Sequence, residues 1–249
     1  MSSAIRLGII GNGNAGKFFA NHFDSPILEI FHFSRKPELG LIPLSDLDSD
    51  FNLDIIFLAV SDNQIRKLSE SLDVRSSLIV HLSGTSPLSE IDKKHKNTAV
   101  FWPLMSLSEH TKTSLLEIPF CLEASNNHSK KAMTNFCESL GLKSEWTDYN
   151  QRLKLHLAAV LSQNFSNHLF HLAHKILAEE NLDLELFKPI LLETINRLGT
   201  KDPGIYQTGP AARKDENTIN RHLDLLEGSP KEIYKIISQS IKETHERKL

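Results

Sequence analysis

Ile5-Arg6-Leu7-Gly8-Ile9-Ile10-Gly11-Asn12-Gly13-Asn14-Ala15-Gly16 carries an apolar strand straight into a G-x-G-x-x-G turn. Gly11 permits the tight turn after the strand. Gly13 allows the backbone to approach a diphosphate closely, and Gly16 lets the following helix pack on the strand. The N-terminus of that helix presents free N–H groups to an anion. An isolated G-x-G-x-x-G is weak evidence. Here a strand precedes it and an amphipathic segment, Lys17 to Phe23, follows it, which is the context a dinucleotide site requires. Gly11, Asn12, Gly13, Asn14, Ala15 and Gly16 are therefore expected to bind a cofactor.

Outward from this turn, strands alternate with helices. A helix is expected over Asn14–Phe23 and a second strand over Leu28–Phe33. Asp54–Val60 is a nearly continuous apolar run, as in a parallel strand buried on both faces. Asp62–Leu72 reads as a helix, Leu78–Leu82 as a strand, Ala99–Trp102 and Pro119–Leu122 as shorter strands, and Ser129–Leu140 as a helix closed by Gly141. The pattern implies an α/β architecture with a doubly wound parallel sheet. From Tyr149 onward no strand pattern remains. Helices are expected at about 150–180, 183–199, 216–227 and 230–246, with a loop marked by Pro203, Gly204, Gly209 and Pro210. The division expected is a dinucleotide-binding Rossmann domain over 1–148 and an all-helical substrate and dimerisation domain over 149–249.

In a Rossmann unit the end of the second strand distinguishes the cofactors: an acid there binds the ribose hydroxyls of NAD, while cations pair with the extra phosphate of NADP. The chain reads His32-Phe33-Ser34-Arg35-Lys36, with no acid before Glu38. Ser34, Arg35 and Lys36 suit a phosphate dianion, so NADP is expected over NAD or FAD. A reading in which Arg35 and Lys36 are ordinary solvated loop charges stays open. After the third apolar strand come Val60 and Ser61, expected beside the cofactor, then Asp62, expected to cap the next helix. Ser83-Gly84-Thr85 follows the next strand at the same sheet edge. Ser83 is a candidate substrate contact; a plain turn is the alternative.

The bulk numbers exclude other classes. The net charge of −3 supplies no basic field for nucleic acid or anionic membrane. No apolar run is long enough to span a bilayer, no signal region opens the chain, and Cys121 and Cys137 form no disulfide framework. A cytoplasmic location is expected, with a small molecule and a second copy of the chain as partners.

Leu155 to His174 contains no Lys, Arg, Asp or Glu, so this helix is expected to be enclosed by protein. On a regular wheel His156, Val160, Gln163, Asn164, Asn167 and His171 share an arc of roughly 100°, with Leu157, Leu161, Phe165, Leu169 and Leu172 opposite. His156 and Asn164 are the catalytic candidates; a polar seam inside the core or between two copies is the alternative. His168, His171 and His174 spread over about 120° of helix, poor geometry for one ion, so no metal is expected. Thr208, Gly209, Arg213 and His222 form a second candidate cluster for substrate, with Asp215 or Asn217 starting the next helix. A local Arg213–Asp215 pair is the competing reading.

Taken together, Gly11–Gly16, His81-Leu82-Ser83-Gly84, Ile118-Pro119-Phe120, Leu155–Val160 with Asn164, and Thr208-Gly209-Pro210 through Arg213, Asp215 and His222 resemble a known group. It comprises Rossmann-like NADP oxidoreductases of unassigned substrate, with a helical C-terminal domain of unknown function. These are distant relatives of pyrroline-5-carboxylate reductase and of the 6-phosphogluconate dehydrogenase superfamily. The resemblance implies a C-terminal domain of the 6-phosphogluconate dehydrogenase type and a substrate in the cleft between domains. Two departures narrow the chemistry. Trp102-Pro103 replaces the His-Pro of many relatives, removing a titratable group. Val160 stands where the hydroxy-acid branch carries a Lys four residues before Asn164.

The expected function is NADP(H)-dependent hydride transfer to a C=O or C=N carbon. His156 would be the proton donor, since an imidazole titrates near neutrality. Asn164 would orient the substrate, and Arg213 would hold its anionic group. The alternatives are a non-catalytic NADP-binding protein that senses redox state or binds a partner chain, and a dimer whose cofactor site has decayed.

Overall fold

The computed structural model describes residues 4–36, 38–47, 51–74, 77–108, 110–199 and 201–246. Its centre is an eight-stranded sheet: β1 (Ile5–Ile10), β2 (Leu28–Ser34), β3 (Ile42–Pro43), β4 (Ile55–Leu58), β5 (Leu78–His81), β6 (Thr98–Pro103), β7 (Phe120–Ala124) and β8 (Ser144–Trp146). The spatial order is β3-β2-β1-β4-β5-β6-β7-β8. The chain leaves β1 toward β2 on one side and, after β3, returns to place β4 on the other. The gap between β1 and β4 is thus the topological switch point, where ligands of open α/β sheets bind.

Both faces of the sheet are covered, which is why β4 (Ile-Ile-Phe-Leu) is apolar at every position. On one face Leu7, Ile9, Phe57 and Phe101 pack with Phe18 and Phe19 of α1 (Asn14–His22) and Met133 and Phe136 of α3 (Asn127–Ser139). On the other, Ile10, Ile56, Leu58 and Ile79 pack with Ile65 and Leu68 of α2 (Ile65–Ser71). Phe101 and Phe120 stack with ring centroids 4.3 Å apart. The doubly wound α/β architecture expected from the strand and helix alternation is the one observed.

Three features depart from that reading. β6 and β7 run antiparallel, so the sheet is not wholly parallel. Their connection holds only a short turn of helix at Leu115–Glu117 among the described residues, and an antiparallel return needs no crossover helix. The edge strands β3 and β8 escaped the sequence reading: two and three residues are too few to show a period. Pro43 also suits only an edge.

Beyond β8 the described residues form helices: α4 (Tyr149–Ala159), α5 (Phe165–Glu179), α6 (Lys188–Asn196), α7 (Glu216–Asp224) and α8 (Gly228–Glu246). Two compact units result, residues 1–162 and 163–249. The division falls later than the expected 148/149 because α4 belongs to the first unit. Its Arg152 is fully buried there, paired with Glu123 of β7 and donating to the Ser86 carbonyl at 2.7 Å. Between α4 and α5, Val160–Asn164 forms a π-helical turn.

That turn corrects the helical wheel. A π turn takes in one extra residue, so positions beyond it are offset by about 100° from a regular count. His156 and Val160 therefore do not share a continuous stripe with Asn167 and His171. Nor is the uncharged segment enclosed within this chain: Leu157, Leu161 and Phe165 are 59%, 56% and 55% exposed. The absence of charge there does not reflect burial by the chain itself.

Candidate functional site

The candidate site lies along the carboxyl ends of β1, β2, β4 and β5. Gly11 adopts φ +122°, donates its N–H to the Phe33 carbonyl at 2.9 Å, and could not carry a side chain, since a Cβ would lie 2.2 Å from the Ala59 carbonyl oxygen. Its own carbonyl accepts a hydrogen bond from His32 Nε2 at 2.8 Å, which fixes that ring's tautomer. A Cβ on Gly16 would fall 1.9 Å from the Gly11 carbonyl oxygen, so the helix start packs on the turn itself. Gly13, the N-cap of α1, has no side-chain cap bond, and a Cβ there would meet nothing within 4 Å. Open space thus stands over the uncapped N–H groups at the start of α1, which is what a diphosphate needs.

Two cavities flank this turn. One, of about 590 Å³, runs from Gly11, Asn12 and Gly13 past Val60 and Ser61 to Ser34, Arg35 and Lys36. It is also bordered by Glu38, Gln64, Lys67 and Ser71. The other, of about 230 Å³, is lined by Gly13, Asn14, Ala15, Ala59, Val60, Ser61, Asp62, Leu82 and Ser83. All the cofactor candidates except Gly16 line one or both. Gly16 acts by its closeness to the turn.

Ser34 is nearby but committed: its hydroxyl donates to the Lys36 carbonyl at 3.0 Å and accepts the Lys36 N–H at 3.2 Å. Its proton is therefore not offered to an anion. Ser83 is committed more completely. Its Oγ donates to Asp62 Oδ2 at 2.7 Å and accepts the N–H groups of Thr85 at 3.1 Å and Ser86 at 2.8 Å. One donor and two lone pairs are then all in use, leaving nothing for a substrate.

Asp62 was expected to cap the helix; the structure turns it to the loop after β5 instead. Its Oδ2 accepts from Ser83 Oγ and from Thr85 Oγ1 at 2.6 Å, while the helix start has no side-chain cap. Burial alone would raise its pKa. Hydrogen bonds from Thr85, Ser83 and Ser86, with His81 nearby, outweigh burial and hold the carboxyl below its ordinary value.

His156 of α4 is brought to this edge. A Cβ on Gly84 would lie 2.6 Å from Trp102 Cε2 and 2.9 Å from His156 Cδ2, and the Trp102 and His156 rings have centroids 5.7 Å apart. Three segments from the candidate set, His81–Gly84, Trp102 and His156, thus meet around one glycine. Beneath them His81 is fully buried. Its Nδ1 accepts the Ser83 N–H at 3.2 Å, and Nε2, near the Pro87 backbone, makes no well-formed hydrogen bond. Burial first, then the Arg152 charge, push its pKa down to about 3, so the ring is neutral.

The other candidates lie in the second unit. Asn164 ends the π turn, is exposed, and makes no side-chain hydrogen bond among the described residues. Thr208 borders an apolar cavity of about 320 Å³ with Leu172, Ile176, Tyr234 and Ile237. Gly209 has φ +102°. Arg213 is exposed, and His222 Nδ1 lies 2.8 Å from the Tyr234 hydroxyl. Asp215 caps α7, accepting from the Thr218 N–H at 3.0 Å and the Thr218 hydroxyl at 2.7 Å. Among the described residues no three His, Cys, Asp or Glu side chains come together as metal ligands.

Arg152, Asp62, Trp102 and Lys67 escaped the sequence reading as site residues. Arg152 and Lys67 look like ordinary helix-surface cations, and Asp62 has the sequence position of a cap. For Trp102 the signal existed: its place is where many relatives carry a histidine.

Residues 118–241 match the domain of unknown function DUF2520. Among solved structures it is similar to a "putative NADP oxidoreductase" of Bacteroides fragilis, with 27% identity, a TM-score of 0.84, and 96% of this chain and 98% of that one covered. It is also similar to a reductive aminase of Aspergillus terreus solved with NADPH (13% identity, TM-score 0.68, 98% and 95% covered). A third likeness is to the 1-pyrroline-5-carboxylate reductase of Streptococcus pyogenes (14% identity, TM-score 0.63, 98% and 99% covered). No curated protein is significantly similar in sequence. The chain thus has the Rossmann-like oxidoreductase fold with a helical C-terminal part, the group its motifs resemble.

Proposed function

We propose that this protein is an NADP(H)-dependent oxidoreductase acting on a C=O or C=N carbon. The observation that carries the reading is the groove from Arg35 and Lys36, across the open Gly13 turn, to Asp62 and Ser83. It offers cations at one end and uncapped helix N–H groups at its middle, matching the charges of a phosphorylated dinucleotide. The similar Bacteroides protein and the aminase solved with NADPH support NADP over NAD. The bound cofactor supplies the hydride.

The chain's own residues bind and direct. Gly11, Asn12, Gly13, Asn14, Ala15 and Gly16 cradle the diphosphate; Val60 and Ser61 border the middle of the groove. His156 holds the proton that the reduced oxygen or nitrogen takes up, with Trp102 beside it. Arg213, with the His222–Tyr234 pair in its own unit, is the candidate holder of a substrate's anionic group, and Asn164 of its polar group.

The test is NADPH consumption with a panel of imines and keto acids. Wild type should oxidise NADPH on at least one. His156→Ala should lose turnover while keeping NADPH affinity. Binding of NADPH with no turnover on any member would favour a redox-sensing protein instead.

A homodimer belongs to the same reading. In the second unit Leu186, Ile190, Ile195 and Leu198 of the α6 region are 59% to 68% exposed. Soluble monomers rarely leave such a surface to water, and a second copy would cover it.

A further inference from the structure

The cavity at the adenosine end of the groove has a charge problem that the residues read from the sequence do not solve. Ser34 gives its hydroxyl proton to the Lys36 carbonyl, so a phosphate finds no donor there. Glu38 borders the same cavity and accepts from Asn12 Nδ2 at 3.4 Å, placing a carboxylate beside the phosphate's expected seat. Arg35 and Lys36 against Glu38 leave a single net positive charge. A phosphate monoester carries roughly −1.5 to −2 at neutral pH.

Lys67 removes the deficit. It stands on α2, across the cavity from the β2 end, and its neighbours Gln64, Leu68 and Ser71 line the same wall. Leu68 is buried in the core, which holds the helix in place. Among the described residues the side chains of Arg35, Lys36 and Lys67 make no ion pair and no hydrogen bond, so their donors are free. Three cations against one carboxylate give a net of two positive charges around the cavity, matching the dianion.

We propose that Lys67 is a specificity-determining residue, binding the 2′-phosphate of NADP(H) from the α2 side of the cavity. The assignment rests on the cofactor reading above. It places the discrimination between NADP and NAD on two elements, the end of β2 and the face of α2. The β2 cations grip the phosphate from the strand side, and Lys67 offsets Glu38. An ammonium on a flexible stem suits this role, because it needs no fixed bidentate geometry.

Direct binding to the full-length chain tests this without a substrate. The dissociation constants of NADPH, NADH, 2′,5′-ADP and 5′-AMP are measured for wild type, Lys67→Gln and Lys67→Arg. Lys67→Gln should weaken NADPH and 2′,5′-ADP about tenfold while leaving NADH and 5′-AMP unchanged, as expected for one charge-assisted contact. Lys67→Arg should retain most of the preference, and the salt dependence of NADPH binding should flatten in Lys67→Gln. No loss, or equal losses for phosphorylated and unphosphorylated ligands, overturns the role of Lys67 and leaves the cofactor site standing. A wild-type chain that binds neither NADPH nor NADH overturns the cofactor reading itself, and Lys67 with it.

Discussion

Single residues at the carboxyl edge of the sheet decide what this groove can do, and several are under tight physical constraint. Gly84 separates Trp102 from His156 with no room for a methyl group. Gly84→Ala should cost about 1–3 kcal/mol through forced displacement of those rings. Thermal denaturation should show Tm lower by about 2–4 °C per kcal/mol. Arg152 is fully buried while its partner Glu123 keeps a side-chain exposure of 21%. Removing the acid leaves a buried guanidinium unpaired, so Glu123→Ala should destabilise by about 3 kcal/mol, and denaturant titration should reveal it. His81 gives a pH signature. Its folded pKa, near 3, lies below the ordinary 6.5, so the unfolded chain binds the proton first. The stability associated with neutral His81 is complete above pH 6.5 and is lost as pH falls toward 3, by about 1.4 kcal/mol per pH unit for one proton. Asp62, whose pKa is lowered from 3.8, adds its own loss only as pH falls below 3.8, at the acid end of that range. Unfolding free energy should therefore decline from pH 6.5 to 5, and His81→Asn should flatten that decline. An unchanged slope in the variant would show that another group dominates.

At the scale of elements, α4 is the piece on which the site depends. Asp148 caps it by accepting the Gln151 N–H at 2.8 Å, and Gln151 Oε1 accepts the Asp148 N–H at 2.9 Å in return. Arg152 then anchors the helix to β7 and to the turn after β5, and His156 follows one turn later. Asp148→Ala should cost about 1 kcal/mol, measurable as a lower Tm. The sequence showed that a helix begins near residue 150, since the end of the strand pattern is local; the Asp148 cap came only with the structure. It did not show that the helix belongs to the sheet unit, because burial of Arg152 depends on Glu123 and Ser86, far away in the chain. Nor did it show the π turn at Val160–Asn164, which a regular periodicity count cannot register.

For the whole molecule, the apolar surface of the helical unit is the unsolved part of a single chain. Leu186, Ile190, Ile195 and Leu198 face water in isolation. Sedimentation should therefore give a particle of twice 28.1 kDa, and Ile190→Glu should shift it toward the monomer. A wild-type species at the monomer mass would remove the second copy from the proposal.

The sequence by itself determined the strand-to-helix turn, the succession of buried strands and the change to helices near Tyr149. Those signals are short-range: φ > 0 at Gly11, alternating or continuous apolar runs, caps. Only the tertiary structure decided which polar atoms remain free for a ligand. Ser34 and Ser83 looked available, but each already gives its proton to a neighbour within the chain. Lys67 looked like an ordinary helix residue, and packing carried it to the groove. Hydrogen-bond capacity and charge balance are settled by neighbours across the fold, and no reading along the chain can count them.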